Sequence, residues 1–291
     1  MNNKVRVLIL GCTGLLGNTV FKEFSSDSKY SVYGTYRNLH QGLMFSMVEG
    51  VDCEYYSFDV LKDKVSVLPS NCDYIINCIG LIKPSLRDNS PEYRALKVNG
   101  LFPHELSRFA KKHDARLIHV TSDCVFSGNK AWPERWAPGH YTEGEEHDMI
   151  DLYGRTKSLG EPENCMVLRT SIIGPEIHSH VSFVDWVKSN DNGTIDGYTN
   201  HFWNGVTTKQ YANVCKKIIE GDLYQEDMYH VFSPETVCKH MLANMVATRF
   251  DLNINIVEHE TPIPIDRSLS TTKELNNRLQ IPHLYEQLAT L

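Results

Sequence analysis

The sequence predicts an α/β protein, a doubly wound parallel sheet with a smaller, interleaved C-terminal α+β lobe. Three observations predict it. Short apolar, β-branched runs alternate with helical segments through the first half of the chain. A glycine triplet, "GCTGLLG", follows the first such run directly. After residue 173 the alternation loosens, and the chain turns rich in Gly, Asn, His and aromatic residues. Strands alternating with helices call for a parallel sheet covered on both faces, because each right-handed crossover brings the chain back in the same direction.

The elements follow in order. Residues 5–10 ("VRVLIL") read as a buried strand, and 13–24 as a helix after the glycine turn. Strands are expected at 31–36 ("SVYGTY"), 53–58 ("CEYYSF"), 74–78 ("YIINC") and 117–121 ("LIHVT"). A long helical segment, 91–112, lies between the last two. Residues 165–173 ("CMVLRTSII") continue the sheet; 174–205 read as loose; 207–220 read as a helix and 228–232 as one more strand. From 234 onward short helices surround a proline-marked turn at 261–264. The expected division is 1–173 plus 206–233 as a nucleotide-binding lobe, and 174–205 plus 234–291 as the second lobe. There are no internal repeats or low-complexity tracts.

With 291 residues the chain is long enough for one large core or two linked lobes. Its formal net charge is -7, and no Lys/Arg run exceeds two, which argues against a nucleic-acid partner. The first apolar run is too short for a signal peptide or a membrane span, so no membrane partner is expected and a cytoplasmic location is. Eight cysteines form no CxxC pair, which suits free thiols in a reducing compartment. His140, His147, His178 and His201 fit no ligand spacing, so no metal is expected.

The glycines carry the first chemistry. Gly11, Gly14 and Gly17 lie between a strand and a helix, where backbone amides and a helix N-terminus can cradle a pyrophosphate. The cofactor contacts expected there run through Gly11, Thr13, Gly14, Leu15, Leu16 and Gly17. An NAD-selective site wants an acid near the end of the second strand. Here "TYRNLH" (35–40) offers no acid and one arginine, Arg37, which suits a 2′-phosphate. The expectation is NADP(H), with NAD(H) second. The bland alternative is that Arg37 points to solvent.

"DLYGRTKSLG" (151–160) carries the second. Tyr153 and Lys157 are four residues apart, on one face of a helix. Alone, such a pair is ordinary surface. Upstream, at the carboxyl end of a strand, stands "HVTSDCVFSG" (119–128). A phenol with a pKa near 10 is a poor proton donor at neutral pH, and a nearby ammonium lowers it. A hydroxyl such as that of Ser122 can hold a substrate carbonyl beside it.

Here the chain resembles the extended short-chain dehydrogenase/reductases, and within them the dTDP-4-dehydrorhamnose reductases, over nearly its whole length. The likeness rests on "GCTGLLG", "FDV" (58–60), "NCIG" (77–80), "VNG" (98–100), "TSDCVF" (121–126), "YGRTKSLGE" (153–161), "LRTSIIG" (168–174) and "DRSLSTTKE" (266–274). It implies a Rossmann sheet with a C-terminal substrate lobe. It further implies NADP(H)-dependent reduction of the 4-keto group of a nucleotide-linked 6-deoxy-hexose, in polysaccharide precursor synthesis. Tyr153 would give the proton, Lys157 would bind the nicotinamide ribose and tune Tyr153, and Ser122 would orient the carbonyl. Asp59 and Val60 would contact adenine, and Gly80 would line the cofactor groove. Asn99 matches a helix asparagine with either a catalytic or a structural role. Asp123, Trp203 and Asn204 would face the sugar nucleotide, with packing roles the alternative for the last two. The oligomeric state stays open, with a homodimer among the options.

Two departures qualify the likeness. Cys124 stands where the rhamnose reductases have tyrosine, whereas GDP-fucose synthase has cysteine there and a histidine in an "SHV" segment. This chain has "SHV" at 179–181, giving His180. The alternative function is therefore a 3,5-epimerase/4-reductase using Cys124 and His180. The bland alternative is a small packed thiol and a loop histidine. The Thr-Asp-Glu run of the 4,6-dehydratases is absent, since Cys124 follows Asp123. A third reading is a non-catalytic regulatory subunit, because a partner of methionine adenosyltransferase shares this likeness.

Overall fold

The computed structural model describes residues 4–37, 53–87, 90–129, 141–177 and 180–291. The strands are β1 (Val5–Leu10), β2 (Tyr30–Tyr36), β3 (Cys53–Ser57), β4 (Tyr74–Asn77), β5 (Arg116–Ser122), β6 (Met166–Thr170) and β7 (Ile172–Ile173). They continue as β8 (Thr194–Tyr198), β9 (His201–Trp203), β10 (Val206–Thr207), β11 (Asp227–His230), β12 (Val237–Cys238), β13 (Asn255–His259) and β14 (Ile265–Asp266). The helices are α1 (Leu15–Ser25), α2 (Pro91–Ala95), α3 (Phe102–Lys112), α4 (Leu152–Leu159), α5 (Phe183–Ser189), α6 (Thr208–Glu220), α7 (Lys239–Arg249), α8 (Leu275–Leu279) and α9 (Leu284–Ala289).

Seven strands form the main sheet in the order β11-β6-β5-β4-β1-β2-β3. The ladders β1–β2, β2–β3, β1–β4 and β4–β5 are parallel. Apolar runs make this possible: Val7–Leu10 and Tyr74–Asn77 are buried at every position, as strands covered on both faces must be. The strand order reverses at β1, between β4 and β2, which is where doubly wound sheets open a crevice for ligands.

The chain divides into two compact units. The first comprises residues 1–121, 151–168 and 212–228, and the second 122–150, 169–211 and 229–291. Residues 122–150, which the sequence rhythm leaves with the sheet, thus group with the second unit. The first unit's core packs Leu8, Leu10, Ile75, Phe102, Leu106 and Leu117. The second unit's core packs Ile173, Val184, Ile195, Trp203, Leu242 and Leu284.

The segment 174–205, read as loose, holds real elements. Ser182 caps α5 by accepting from the Asp185 N–H at 3.2 Å. β8 alternates exposed and buried residues, and its partner β13 lies far along the chain, Thr194 opposite Asn255. A helix of seven residues shows too little of its period to be seen in sequence, and β8 depends on that distant partner. α7 is likewise longer than the short helices expected of the tail.

The helical segment at 91–112 is continuous but widened. α2 and α3 are joined by a π-helical stretch, Leu96–Leu101, a rare geometry that often marks a functional position. It carries Asn99, which is 1% exposed. The Asn99 amide accepts from the Leu81 N–H at 2.8 Å and donates to the Leu81 carbonyl at 3.0 Å. It also approaches Thr156 Oγ1 on α4 at 3.5 Å. Asn99→Ala leaves both Leu81 backbone groups unpaired, so it should destabilise the protein by about 2 kcal/mol or more in urea unfolding. An unchanged midpoint would show that water replaces the amide there.

Candidate functional site

The glycine turn is built by close approach. Gly11 follows β1 with φ +76°, a left-handed conformation that favours glycine. A Cβ on Gly17 would lie 2.1 Å from the Gly11 carbonyl oxygen, so α1 can start this near the turn only with glycine there. Gly14, extended and exposed, is the N-cap of α1, and no side chain caps the helix. Thr13 and Leu15 are half-buried; Leu16 and Gly17 are buried. The turn is pinned from β2, where Thr35 Oγ1 accepts from the Gly11 N–H at 2.9 Å. The buried Asn18 Nδ2 has no hydrogen-bond partner among the described residues. An uncapped helix N-terminus, a cradle that a Cβ would fill and an orphaned amide fit a bound pyrophosphate.

Four further cofactor candidates follow the ends of β2, β3 and β4. Arg37 is exposed immediately after β2. Asp59 turns onto its own loop: its carboxylate accepts from the Leu61 N–H at 3.0 Å and lies 3.6 Å from Lys62 Nζ. Val60 is buried in the first unit's core. Gly80, just past β4, is exposed, and a Cβ there would stand 3.8 Å from Lys157 Nζ and 3.6 Å from Asn99 Oδ1.

α4 presents Tyr153 and Lys157. Its N-cap is Asp151, which accepts from the Gly154 N–H at 2.7 Å and pairs with Lys83 at 2.7 Å. The Lys83 ammonium lies 6.0 Å from the centre of the half-buried Tyr153 ring. Lys157 is only 5% exposed, and its Nζ donates to the Val120 carbonyl at 3.1 Å. Burial pushes Lys157 down to about 8, with Glu161 opposing the shift. Val120 precedes Ser122 by two residues on the same strand, β5.

Ser122 and its neighbours belong to the second unit. Ser122 Oγ accepts from the Cys124 N–H at 3.1 Å and donates to Asp123 Oδ1 at 3.2 Å. Asp123 is buried, which raises its pKa, while Arg267 and Lys239 hold it back. Lys239, the first residue of α7, is half-buried, and its ammonium stands 5.1 Å from the centres of the Phe183 and Trp203 rings. Burial pushes it down to about 8, against the pull of Asp123 and Cys124. Sequence reasoning missed both cations. "DRSLSTTKE" contains Arg267, yet only the fold brings it and Lys239 to Asp123.

The remaining candidates are tied into the fold. His180 is exposed in a left-handed turn, its Nδ1 3.6 Å from Asp185. Cys124 is half-buried. Trp203 is 3% exposed within the second core. Asn204 donates to the Leu269 carbonyl and accepts from its N–H, both at 2.8 Å. No three His, Cys, Asp or Glu side chains group as a metal site needs among the described residues. His140, His178 and Ser179 lie outside those residues, and no helix among them is long and apolar enough to cross a membrane.

"LRTS" has a different role from its neighbours. Arg169 is 2% exposed and donates to His230 Nε2 at 2.8 Å and His147 Nε2 at 2.7 Å. His230 Nδ1 faces the carbonyls of Tyr141 and Ser270 at 3.1 and 2.8 Å, so its proton sits on Nδ1. Burial and Arg169 push His230 down to about 4.

The strand order and the glycine turn between β1 and α1 give the Rossmann arrangement of the short-chain dehydrogenase/reductases. The chain belongs to the RmlD substrate binding domain family, whose model matches residues 5–283. It is similar to methionine adenosyltransferase 2 subunit beta of Xenopus tropicalis, 27% identical over 96% of this chain and 81% of that one. Among solved structures it is similar to dTDP-4-dehydrorhamnose reductase from Bacillus anthracis in complex with NADP. There the TM-score is 0.72 and the identity 20%, covering 99% of this chain and 98% of that one. It is also similar to MoeE5 in complex with UDP-glucuronic acid and NAD, with TM-score 0.73 and 17% identity over 98% of this chain and 97% of that one. These two likenesses carry the fold.

His230 is neutral in the fold and takes a proton more readily when unfolded. Its stabilisation is therefore whole above pH 6.5 and lost as the pH falls toward 4, about 3 kcal/mol in order of magnitude. Buried His119, also pushed down by burial, adds to the same decline. Urea stability should drop through that window, and less steeply in His230→Gln; equal slopes would show that His230 contributes nothing.

Proposed function

We propose that this protein is an NAD(P)H-dependent reductase of the 4-keto group of a nucleotide-linked 6-deoxy-hexose. The observation that carries the reading is the Lys157 ammonium. It is buried, sits on the Tyr153 face of α4 and is fastened to the Val120 carbonyl at 3.1 Å. Burying an ammonium against a single carbonyl is unfavourable, so such a lysine points to a role beyond stability. Family membership over nearly the whole chain supports the same reading.

Each residue has a definite task. The amides of Thr13–Gly17 and the α1 N-terminus hold the cofactor pyrophosphate, and Gly80 leaves its groove open. Arg37 takes the 2′-phosphate of NADP(H), preferred over NAD(H). Bound nicotinamide supplies a hydride to the carbonyl carbon. Tyr153 gives its phenolic proton to the ketone oxygen, and the positive Lys157 favours the phenolate that remains. Ser122 keeps its bond from the Cys124 N–H while its hydroxyl turns from Asp123 to the ketone. Asp123, held between Arg267 and Lys239, faces the sugar. Epimerisation by Cys124 and His180 is the alternative within the enzyme class, and His180 Nδ1 lies 3.6 Å from Asp185.

A second reading is favoured by one observation, the 27% identity over 96% of the chain to a methionine adenosyltransferase subunit. On it the chain binds a dinucleotide and serves as a partner subunit without turnover. NADPH consumption against dTDP-, UDP- and GDP-linked 4-keto-6-deoxy sugars separates the two. The reductase reading expects turnover that Tyr153→Phe lowers by about 100-fold or more. Tight NADPH binding with no turnover on any of these sugars would reject it in favour of the partner subunit.

Arg37→Ala should weaken NADPH binding about tenfold and leave NADH binding unchanged, measured by nucleotide fluorescence. Equal effects on the two would place the 2′-phosphate elsewhere.

A further inference from the structure

The second unit contains a cavity of about 520 Å³ walled by Phe183, Trp186, Tyr198, His201, Asp196 and Lys239, among others. Its character is aromatic on α5, β8 and β9, with Asp196 exposed at the edge. Among the described residues that line it, Lys239 is the one ammonium. The Lys239 Nζ stands 5.1 Å from the centres of both the Phe183 and the Trp203 rings. Among the described residues it makes no hydrogen bond and no ion pair. Two aromatic faces hold the charge in place without neutralising it.

The same ammonium also acts on the segment that begins with Ser122. Asp123 and Cys124 both attract it, and Arg267 repels it. Around Asp123 there are therefore two cations, Lys239 and Arg267, for one buried carboxylate. His201, which also lines the cavity, is pushed toward its neutral form by burial and by these two cations. Burial of the Lys239 ammonium without a hydrogen-bonded or ion-paired partner among the described residues is a penalty that a bound anion would remove.

A nucleotide-linked sugar is a linear molecule of aromatic base, ribose, diphosphate and hexose. Place the hexose carbonyl at Ser122 and the base against the aromatic walls of the cavity. The part that falls between them is the diphosphate, and Lys239 is the cation that lines the cavity and also feels the charge of Asp123, the residue after Ser122. We infer that Lys239 is the diphosphate anchor of the substrate site, holding the sugar nucleotide so that its hexose meets Ser122. This rests on the reading of the substrate as a nucleotide-linked sugar. The lysine is one that sequence motifs do not single out.

Titration calorimetry on the full chain tests it, with dTDP, UDP and GDP and the corresponding nucleosides as probes. The wild type should bind at least one diphosphate more tightly than its nucleoside. Lys239→Met should weaken that diphosphate about tenfold or more, the worth of a charged hydrogen bond, with nucleoside binding unchanged. Lys239→Arg should stay within about threefold, since the charge is kept. NADPH binding should be equal in all three proteins, which checks the fold independently. Unchanged diphosphate affinity in Lys239→Met, or equal losses for diphosphate and nucleoside, would overturn the anchor alone. A wild type that binds NADPH but none of the three diphosphates would overturn the substrate class, and the anchor with it.

Discussion

The Asn99 amide, bonded twice to the Leu81 backbone, sets the spacing on which the first unit's chemistry depends. Leu81 follows Gly80 just past β4, and Asn99 meets it from a π-helical turn. The same amide approaches Thr156, on the helix that carries Tyr153 and Lys157. One polar side chain thus relates the end of a central strand to the Tyr153 helix. Buried amide bonds are directional and costly to leave unmade, so this spacing has little freedom to drift. Lys157, fastened to Val120, adds a second fixed distance from the same helix to β5.

A charged group at the end of such a frame behaves differently from one at a surface. Lys157 and Lys239 are both enclosed and both pushed down to about 8, one in each unit. Their partners differ. Lys157 has a backbone carbonyl, a neutral dipole that leaves its charge available. Lys239 has two ring faces and no ion-paired partner among the described residues, with Asp123 acting on it only through its field. Arg169 is a third buried cation, but it is satisfied by two neutral imidazoles. Hydrogen-bond accounting thus separates the cation that braces the fold from those left with electrostatic work to do.

The main sheet was legible in the sequence because its signals are local. Val5–Leu10 is apolar at every position but Arg6, and the structure places β1 at those residues. The glycine turn was legible because close backbone approach admits only one residue type at Gly17. The second unit was not, since its strands are two to five residues long and pair across large separations, as Thr194 does with Asn255. Tyr153, Lys157 and Ser122 stood out through spacing and motif. Lys239 and Arg267 did not, because their meeting with Asp123 is a tertiary event with no sequence period. Asn204 was open in the sequence between a substrate contact and a packing role, and only the fold shows that its amide clasps the Leu269 backbone.

The path of the chain carries one more consequence. It passes from one unit to the other at residues 121/122, 150/151, 168/169, 211/212 and 228/229, five times in all. Neither unit is a contiguous stretch of sequence, so no single cut releases either one whole. Recombination between relatives therefore cannot trade the glycine-turn half for another as a cassette. New specificities in such a protein must arise in place, by substitution and by changes in the short connections, while both halves go on folding together.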